Sequence, residues 1–227
     1  MLALRDRKPF KASGPDGFHA FFFQRCWLVI GEDVCNVVIQ VLRGGPMPLG
    51  LNDTFITLIP KVPNVERVTQ FRPIGLCNVV YKLITKCIVN RLKGVLSDMI
   101  SPIQSSFVPG RQITDDVIIM QEVLHSMRRK TGAMGWMAIK LDLEKAYDRL
   151  RWDFLRETLL RMHLSGLLVN VIMQCVSTCS LNILWNGEPS GAFTPSGECD
   201  KVTCFTILIC VLHGATLAIN RSLLCSG

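Results

Sequence analysis

Charge nearly vanishes from the C-terminal stretch of this chain, and that break limits what any single fold can include. From Gly197 to Gly227 only Glu198, Asp200, Lys201 and Arg221 are charged. Cys204 to Ile219 is almost wholly apolar, interrupted by His213 and small polar residues. This run of roughly 16 residues falls just under the span of about 20 that a membrane helix needs. It reads as a marginal membrane segment, a buried helix, or a stretch never selected as protein. The rest of the composition is that of a folding chain. The 227 residues allow one large domain or two small ones, and 49% hydrophobic content excludes disorder as the default state. Lys and Arg number 25 against 18 Asp and Glu, giving +7, a balance that fits a nucleic-acid partner. The N-terminal MLALRDRKPFKASGPDG has no apolar core of a signal peptide. The ten cysteines include no CxxC pair, and no closely spaced histidine pair accompanies them. They are expected to be reduced, mostly buried thiols of an intracellular protein that is not secreted, without a zinc site.

Ahead of the break, helical and strand patterns interleave irregularly, which predicts a mixed α+β fold. Residues 1–17 are basic and end in a Ser13-Gly14-Pro15-Asp16-Gly17 turn. Apolar positions from Phe18 to Leu42 follow helical spacing as far as Gly44-Gly45. Thr54 to Ile59 is β-branched and aromatic and predicts a strand ending at Pro60, followed by a polar connection. Val79 to Val95 forms the apolar face of a second helix, and Val117 to Met127 that of a third, with Thr114 as its N-cap. Trp136 to Asp142 predicts a strand, and residues 150–162 a helix. Leu181 to Trp185 followed by Asn186-Gly187 is a strong hairpin signal. His125 and His163 read as surface or satisfied histidines, and the methionines at 120, 127, 134 and 137 as core fillers.

The stretch Lys140-Leu-Asp-Leu-Glu-Lys-Ala-Tyr-Asp-Arg149 carries the clearest chemistry. Asp142 ends a β-rich run and Asp148 lies six residues on, near a helix start. A carboxylate at a strand end can project into a cleft and hold a hard divalent cation through oxygen. Spacing alone equally allows turn and N-cap acids. The wider stretch IKLDLEKAYDRLRWDFL resembles motif A of the reverse transcriptases of non-LTR (LINE-type) retrotransposons, especially plant ones. KASGPDGF resembles the family's N-terminal motif. NDTFITLIPKV and FRPIGLCNVVYKLITKCIVNRLK resemble its fingers motifs, and ISPIQSSFVPGRQITDDVIIMQEVLHSM the next block. VIMQCVSTCSLNILWNGEP resembles the segment after motif A. Order and spacing agree from about residue 10 to residue 195.

The resemblance implies a partial right-hand polymerase fold, fingers plus incomplete palm, with no thumb. It divides the chain into a basic segment at 1–17, fingers and partial palm at 18–195, and an aberrant tail at 196–227. It makes Asp142 the first catalytic carboxylate and a ligand of Mg²⁺, with the Leu143 carbonyl as a further ligand. Tyr147 matches the steric gate that selects deoxynucleotides; an ordinary half-buried aromatic is the alternative. Arg72 and Lys61 match positions that grip the incoming triphosphate, where guanidinium and ammonium suit phosphate oxygens; solvated surface charge is the alternative. Gln104, Phe107 and Arg111 fall in the template-contacting block. The implied partners are an RNA template, a DNA primer and deoxynucleotides, and the implied location is nuclear or cytoplasmic.

The family's next blocks, approximately RGIRQGDPLSPYLF and a Tyr-x-Asp-Asp box, are missing. One codon choice for Glu198 to Thr203, read one register away, encodes Gly-Met-Arg-Gln-Gly-Asp. The bases for Cys204 to Ala218, in another register, give a string resembling SPYLFVFCMERLS. Small insertions or deletions would account for both, and the apolar run would then be no product of selection for a membrane or a core. Without the remaining acids the chain is expected to be catalytically inactive, leaving nucleic-acid binding, or a membrane-associated role through 204–219, as the other readings. Sequencing of the locus and its transcript across codons 190–227 is expected to show bases that spell the missing block in neighbouring registers; codons that encode the present tail but spell that block in no register would exclude the register changes.

Overall fold

The computed structural model describes residues 2–99, 110–131, 136–139 and 151–194. In chain order its elements are α1 (Leu2–Arg5), α2 (Ala20–Arg25), α3 (Trp27–Leu42), β1 (Thr54–Pro60), a short 3₁₀ turn at Val68–Gln70, β2 (Phe71–Cys77), α4 (Val79–Met99), α5 (Ile113–Arg129), α6 (Trp152–Arg161), α7 (Gly166–Ser177), β3 (Leu181–Trp185) and β4 (Glu188–Pro189). They divide between two compact units, one drawn from Met1–Arg91 and Tyr147–Phe205, the other from Leu92–Ala146 and Thr206–Gly227.

The first unit is built on a four-stranded sheet of order β2-β1-β3-β4. β1 is antiparallel to β2, from Thr54 opposite Cys77 to Pro60 opposite Phe71. It is parallel to β3, from Thr54 opposite Leu181 to Thr57 opposite Leu184. β3 and β4 pair antiparallel around Asn186 (φ 51°) and Gly187 (φ 87°). Two successive positive φ values are what a type I′ turn requires, so the Asn-Gly signal has a direct structural counterpart.

Helices supply the core. The ten-residue α6 buries Leu155 and Leu159, and α7 buries Val169, Val171, Ile172, Met173, Cys175 and Val176. α4 adds Tyr81 and Ile84, both essentially without exposure. The Tyr81 hydroxyl donates to the Cys175 carbonyl at 3.0 Å, so the ring is buried with its polar end paired. A second cluster joins Leu4 of α1, Ala20 and Phe23 of α2, Val34 of α3, and Val79 and Leu83 of α4. The basic N-terminal stretch is thus packed into this unit. Arg7 donates to the Lys82 carbonyl at 2.7 Å, and the Gln24 amide donates to the carbonyls of Leu4 and Arg7.

One buried amide ties three separate segments together. Asn78, 3% exposed, donates through Nδ2 to the carbonyls of Gly50 (3.0 Å) and Leu51 (3.1 Å). Its Oδ1 accepts from the Asp16 N–H at 3.1 Å. Gly14 lies against the same residue, and a Cβ there would overlap the Asn78 side chain and backbone. The Ser13–Gly17 turn closes with Gly17 N–H donating to the Gly14 carbonyl (3.0 Å) and Gly17 at φ 75°. Asp16 accepts the Phe18 N–H at 3.0 Å. Partial burial raises the Asp16 carboxyl above its ordinary value, against the opposing pull of that N–H and of the Lys82 charge.

Several expectations are refined. The helix predicted from Phe18 onwards is two helices, broken at Cys26 (φ −90°, ψ 11°), whose N–H still donates to the Phe22 carbonyl at 2.9 Å. It ends as expected, with Gly44 at φ 94° and Gly45 N–H donating to the Gln40 carbonyl. The polar connection after Pro60 contains β2. Pro73 sits there opposite Leu58, acceptable because β2 is an edge strand whose outer edge needs no N–H donor. α5 begins at Ile113 after Gln112, with Thr114 inside the helix and donating to Gln112 Oε1 at 3.3 Å. Residues 136–139 carry no strand, and 140–142 lie outside the described residues. Met120 and Met137 are exposed rather than core, Met127 is half-buried, and Met134 lies outside the described residues. His125 and His163 are exposed, as expected. Of the six described cysteines, Cys77, Cys175 and Cys179 are buried and Cys26, Cys35 and Cys87 half-buried. No helix among the described residues is long and apolar enough to cross a membrane. The apolar run at 204–219 lies outside them.

Removing the Asn78 side chain would leave two carbonyls and an N–H without partners, each costing about 1–3 kcal/mol if it stays buried. Asn78→Ala is expected to lower stability by about 3 kcal/mol, or Tm by about 6–12 °C for a chain of this size. Gly14→Ala should show a comparable loss in the same thermal melt. Asp16→Asn keeps an acceptor for Phe18 and removes a charge disfavoured by burial. It should melt no lower than the parent at neutral pH, and any advantage should fade as pH falls and the parent carboxyl protonates.

Candidate nucleic-acid interface

The β1–β2 hairpin brings together two of the expected site residues. Lys61 directly follows β1, and its N–H donates to the Gln70 carbonyl at 2.8 Å. Arg72 lies two residues beyond Gln70 in β2, opposite Ile59. Partners across a ladder share a face, as do residues two apart along a strand. Lys61 and Arg72 therefore stand diagonally on one face at the turn end of the hairpin, both exposed. At such a diagonal the Cβ atoms lie about 7–8 Å apart, a spacing that lets two long cations address one polyanion.

The loop between them is braced by its own polar groups. Gln70 Oε1 accepts from the N–H groups of Glu66 (2.9 Å) and Arg67 (3.0 Å), and Asn64 takes a left-handed φ of 58°. Lys61 Nζ donates to the Thr69 carbonyl at 3.0 Å, so in this arrangement its ammonium reinforces the loop. The Arg72 guanidinium has no ion-pair or hydrogen-bond partner among the described residues. Of the two, Arg72 is the cation ready for an external anion, and Lys61 must exchange one backbone contact to join it.

Arg111 is half-buried and precedes α5 in the second unit, directly after Gly110 (φ 82°). α5 carries Asp115 and Asp116 in its first turn and Arg128 and Arg129 in its last, the arrangement that the helix dipole favours. Asp142, Leu143, Tyr147, Gln104 and Phe107 lie outside the described residues. Among the described residues no three or more His, Cys, Asp or Glu side chains gather into a group that could hold a metal ion. Near the C-terminal end of the stretch that resembles motif A, Arg151 holds Asp153 in a 2.6 Å ion pair at the start of α6. That hydrogen-bonded pair, with the Phe154 N–H, keeps the Asp153 carboxyl below its ordinary value. Both groups are exposed, so the pair orders the helix start more than it stabilises the fold.

Asn78 is the positioning residue that sequence reasoning missed. The signal for it was a polar side chain directly ahead of an apolar helix, in the run FRPIGLCNVVYKL.

The model of the reverse transcriptase (RNA-dependent DNA polymerase) family matches residues 59–197, more than half of the chain. That span takes in the hairpin turn with Lys61 and Arg72. The chain is also 33% identical over 186 residues to the transposon TX1 uncharacterized 149 kDa protein of Xenopus laevis. The similarity covers 81% of this chain and 14% of that protein, so the chain spans a small part of its relative's length. An α+β unit whose hairpin presents paired cations, inside a family match of this extent, has one reading: the chain belongs to the reverse transcriptase family and carries a segment of a retrotransposon reverse transcriptase.

Proposed function

We propose that these residues form the fingers and an incomplete palm of a right-hand RNA-directed DNA polymerase, and that the 227 residues by themselves bind nucleic acid without extending it. The observation that carries this reading is the shared face of Lys61 and Arg72 on the β1–β2 hairpin. Two exposed cations on a braced, rigid hairpin are suited to the phosphates of an incoming deoxynucleoside triphosphate, or of a strand lying along the fingers. Arg111, with Gln104 and Phe107, supplies the template contacts in this scheme, and Tyr147 the gate against a ribose 2′-hydroxyl. An RNA template, a DNA primer and deoxynucleotides are the corresponding partners.

Asp142, with the Leu143 carbonyl, is the proposed holder of the divalent cation on which the family depends, magnesium being the ion. One carboxylate leaves most of an octahedral shell to water. Two-metal nucleotidyl transfer needs several carboxylates converging on ions about 4 Å apart. No Tyr-x-Asp-Asp box occurs in the sequence to supply them.

Primer extension with deoxynucleotides and Mg²⁺ or Mn²⁺ should therefore give no product above a buffer control; clear extension would overturn the proposed inactivity. Binding of a deoxynucleoside triphosphate, followed by equilibrium titration, should weaken about tenfold in Arg72→Ala, and less in Lys61→Ala, whose ammonium is already engaged. Equal affinity in parent and Arg72→Ala would remove the hairpin from the nucleotide site. Losing one charge-assisted contact of this kind is worth about 1.5 kcal/mol, which sets the tenfold scale.

A further inference from the structure

α7 is apolar almost all round, yet Asn170, Gln174 and Ser177 interrupt it at spacings of four and three. That spacing puts the three on one face of the helix. This face lines an open groove of about 630 Å³, flanked by Arg43 at the end of α3 and Arg156 on α6. Among the described residues no acidic side chain lines it. Neither guanidinium has an ion-pair or hydrogen-bond partner among the described residues. Gln174 Oε1 is occupied by the Met47 N–H at 3.1 Å, which fixes the side chain and leaves its amide N–H groups free to donate. The Asn170 amide has no hydrogen-bond partner among the described residues. The groove therefore gathers two unpaired guanidiniums and two side-chain amides around one opening, a set rich in donors and matched to anionic oxygens.

The groove is separate from the hairpin cations. Asn52 Nδ2 donates to Thr178 Oγ1 at 2.7 Å, and Thr54 N–H donates to the Ser180 carbonyl at 2.9 Å. These bonds fasten the C-terminal end of α7 to the start of β1. Lys61 and Arg72 lie at the other end of that seven-residue strand, about 20 Å away at the usual rise.

We infer that the groove formed by Arg43, Arg156, Asn170 and Gln174 is a second phosphate-binding site, taking the backbone of a nucleic-acid strand. This deepens the proposed nucleic-acid binding and rests on it. The ligand contacts are to phosphate oxygens, so the site holds a strand without reading its sequence. The spacing of the two sites would let one strand be held at two places on the same rigid unit.

The test is anisotropy titration of the full chain with a short fluorescein-labelled oligouridylate over a range of NaCl concentrations. Two phosphate contacts removed from a single strand lower the salt slope by about 1.4, and affinity at 0.1 M salt by about tenfold or more. The double variant Arg43→Ala/Arg156→Ala is expected to show both changes. Both arginines are exposed, so the variant should keep the parent's circular dichroism and melt. Asn170→Asp, which places a carboxylate in the groove, should weaken binding in the same direction. Unchanged affinity and slope in the double variant, with binding lost in Arg72→Ala, would overturn the groove and leave the hairpin reading standing. If the groove variants weaken binding of a deoxynucleoside triphosphate but not of the oligonucleotide, the site takes free phosphates and the strand assignment is wrong. No binding by the parent chain at low salt would remove the groove and the binding reading together.

Discussion

The Asn78 side chain is the point on which the first unit depends. A single amide satisfies the carbonyls of Gly50 and Leu51 and the N–H of Asp16, and it does so at the junction of β2 and α4. Through it, the N-terminal turn, the entry to β1 and the start of the central helix share one fixed origin. Buried polar groups are costly unless fully paired, so this arrangement tolerates little drift. It also explains why the Gly14 position carries no side chain. The turn must come close enough for its backbone to reach the amide, and a Cβ would occupy that space.

That rigidity matters for the charged residues. A hairpin anchored at one end by the Asn78 junction and braced at the other by Gln70 presents Arg72 from a fixed platform. The same strand, β1, connects to α7 through Asn52 and Thr54. The hairpin cations and the α7 groove therefore sit on one scaffold. For a ligand as extended and as densely charged as a nucleic acid, such spacing between contacts sets where a strand can lie.

The parts of the fold legible in the sequence were those with a strong local code. β1 was readable from Thr54 to Ile59 because its residues are β-branched and aromatic and Pro60 ends it. The β3–β4 hairpin was readable because Asn186-Gly187 can take two positive φ values. α5 was readable from its spacing of apolar residues. Other elements were set by context. β2 contains Pro73 and Gly75, which argue against a strand, and it forms because β1 supplies its partner along one edge. α7 is hard to read in the sequence because a helix apolar on nearly every side shows little apolar periodicity, and its polar stripe is the trace of an open face. Of the site, motifs pointed to Lys61 and Arg72 by residue. Their common face follows from the register of the hairpin, which no single-strand pattern specifies.

The parallel pairing of β1 with β3 has a consequence during synthesis. Thr54 meets Leu181, its partner 127 positions later in the chain. Contacts this distant in sequence slow folding, because a long loop must close before they form. At about 5–20 residues per second, β3 leaves the ribosome roughly 6–25 s after β1. During that interval the β1–β2 hairpin carries an uncovered inner edge of β-branched residues, the kind of edge that recruits strands from other chains. A nascent copy of this protein therefore needs either shielding by a chaperone or slow accumulation. Any element copy interrupted before codon 181 would yield a product with that edge permanently open.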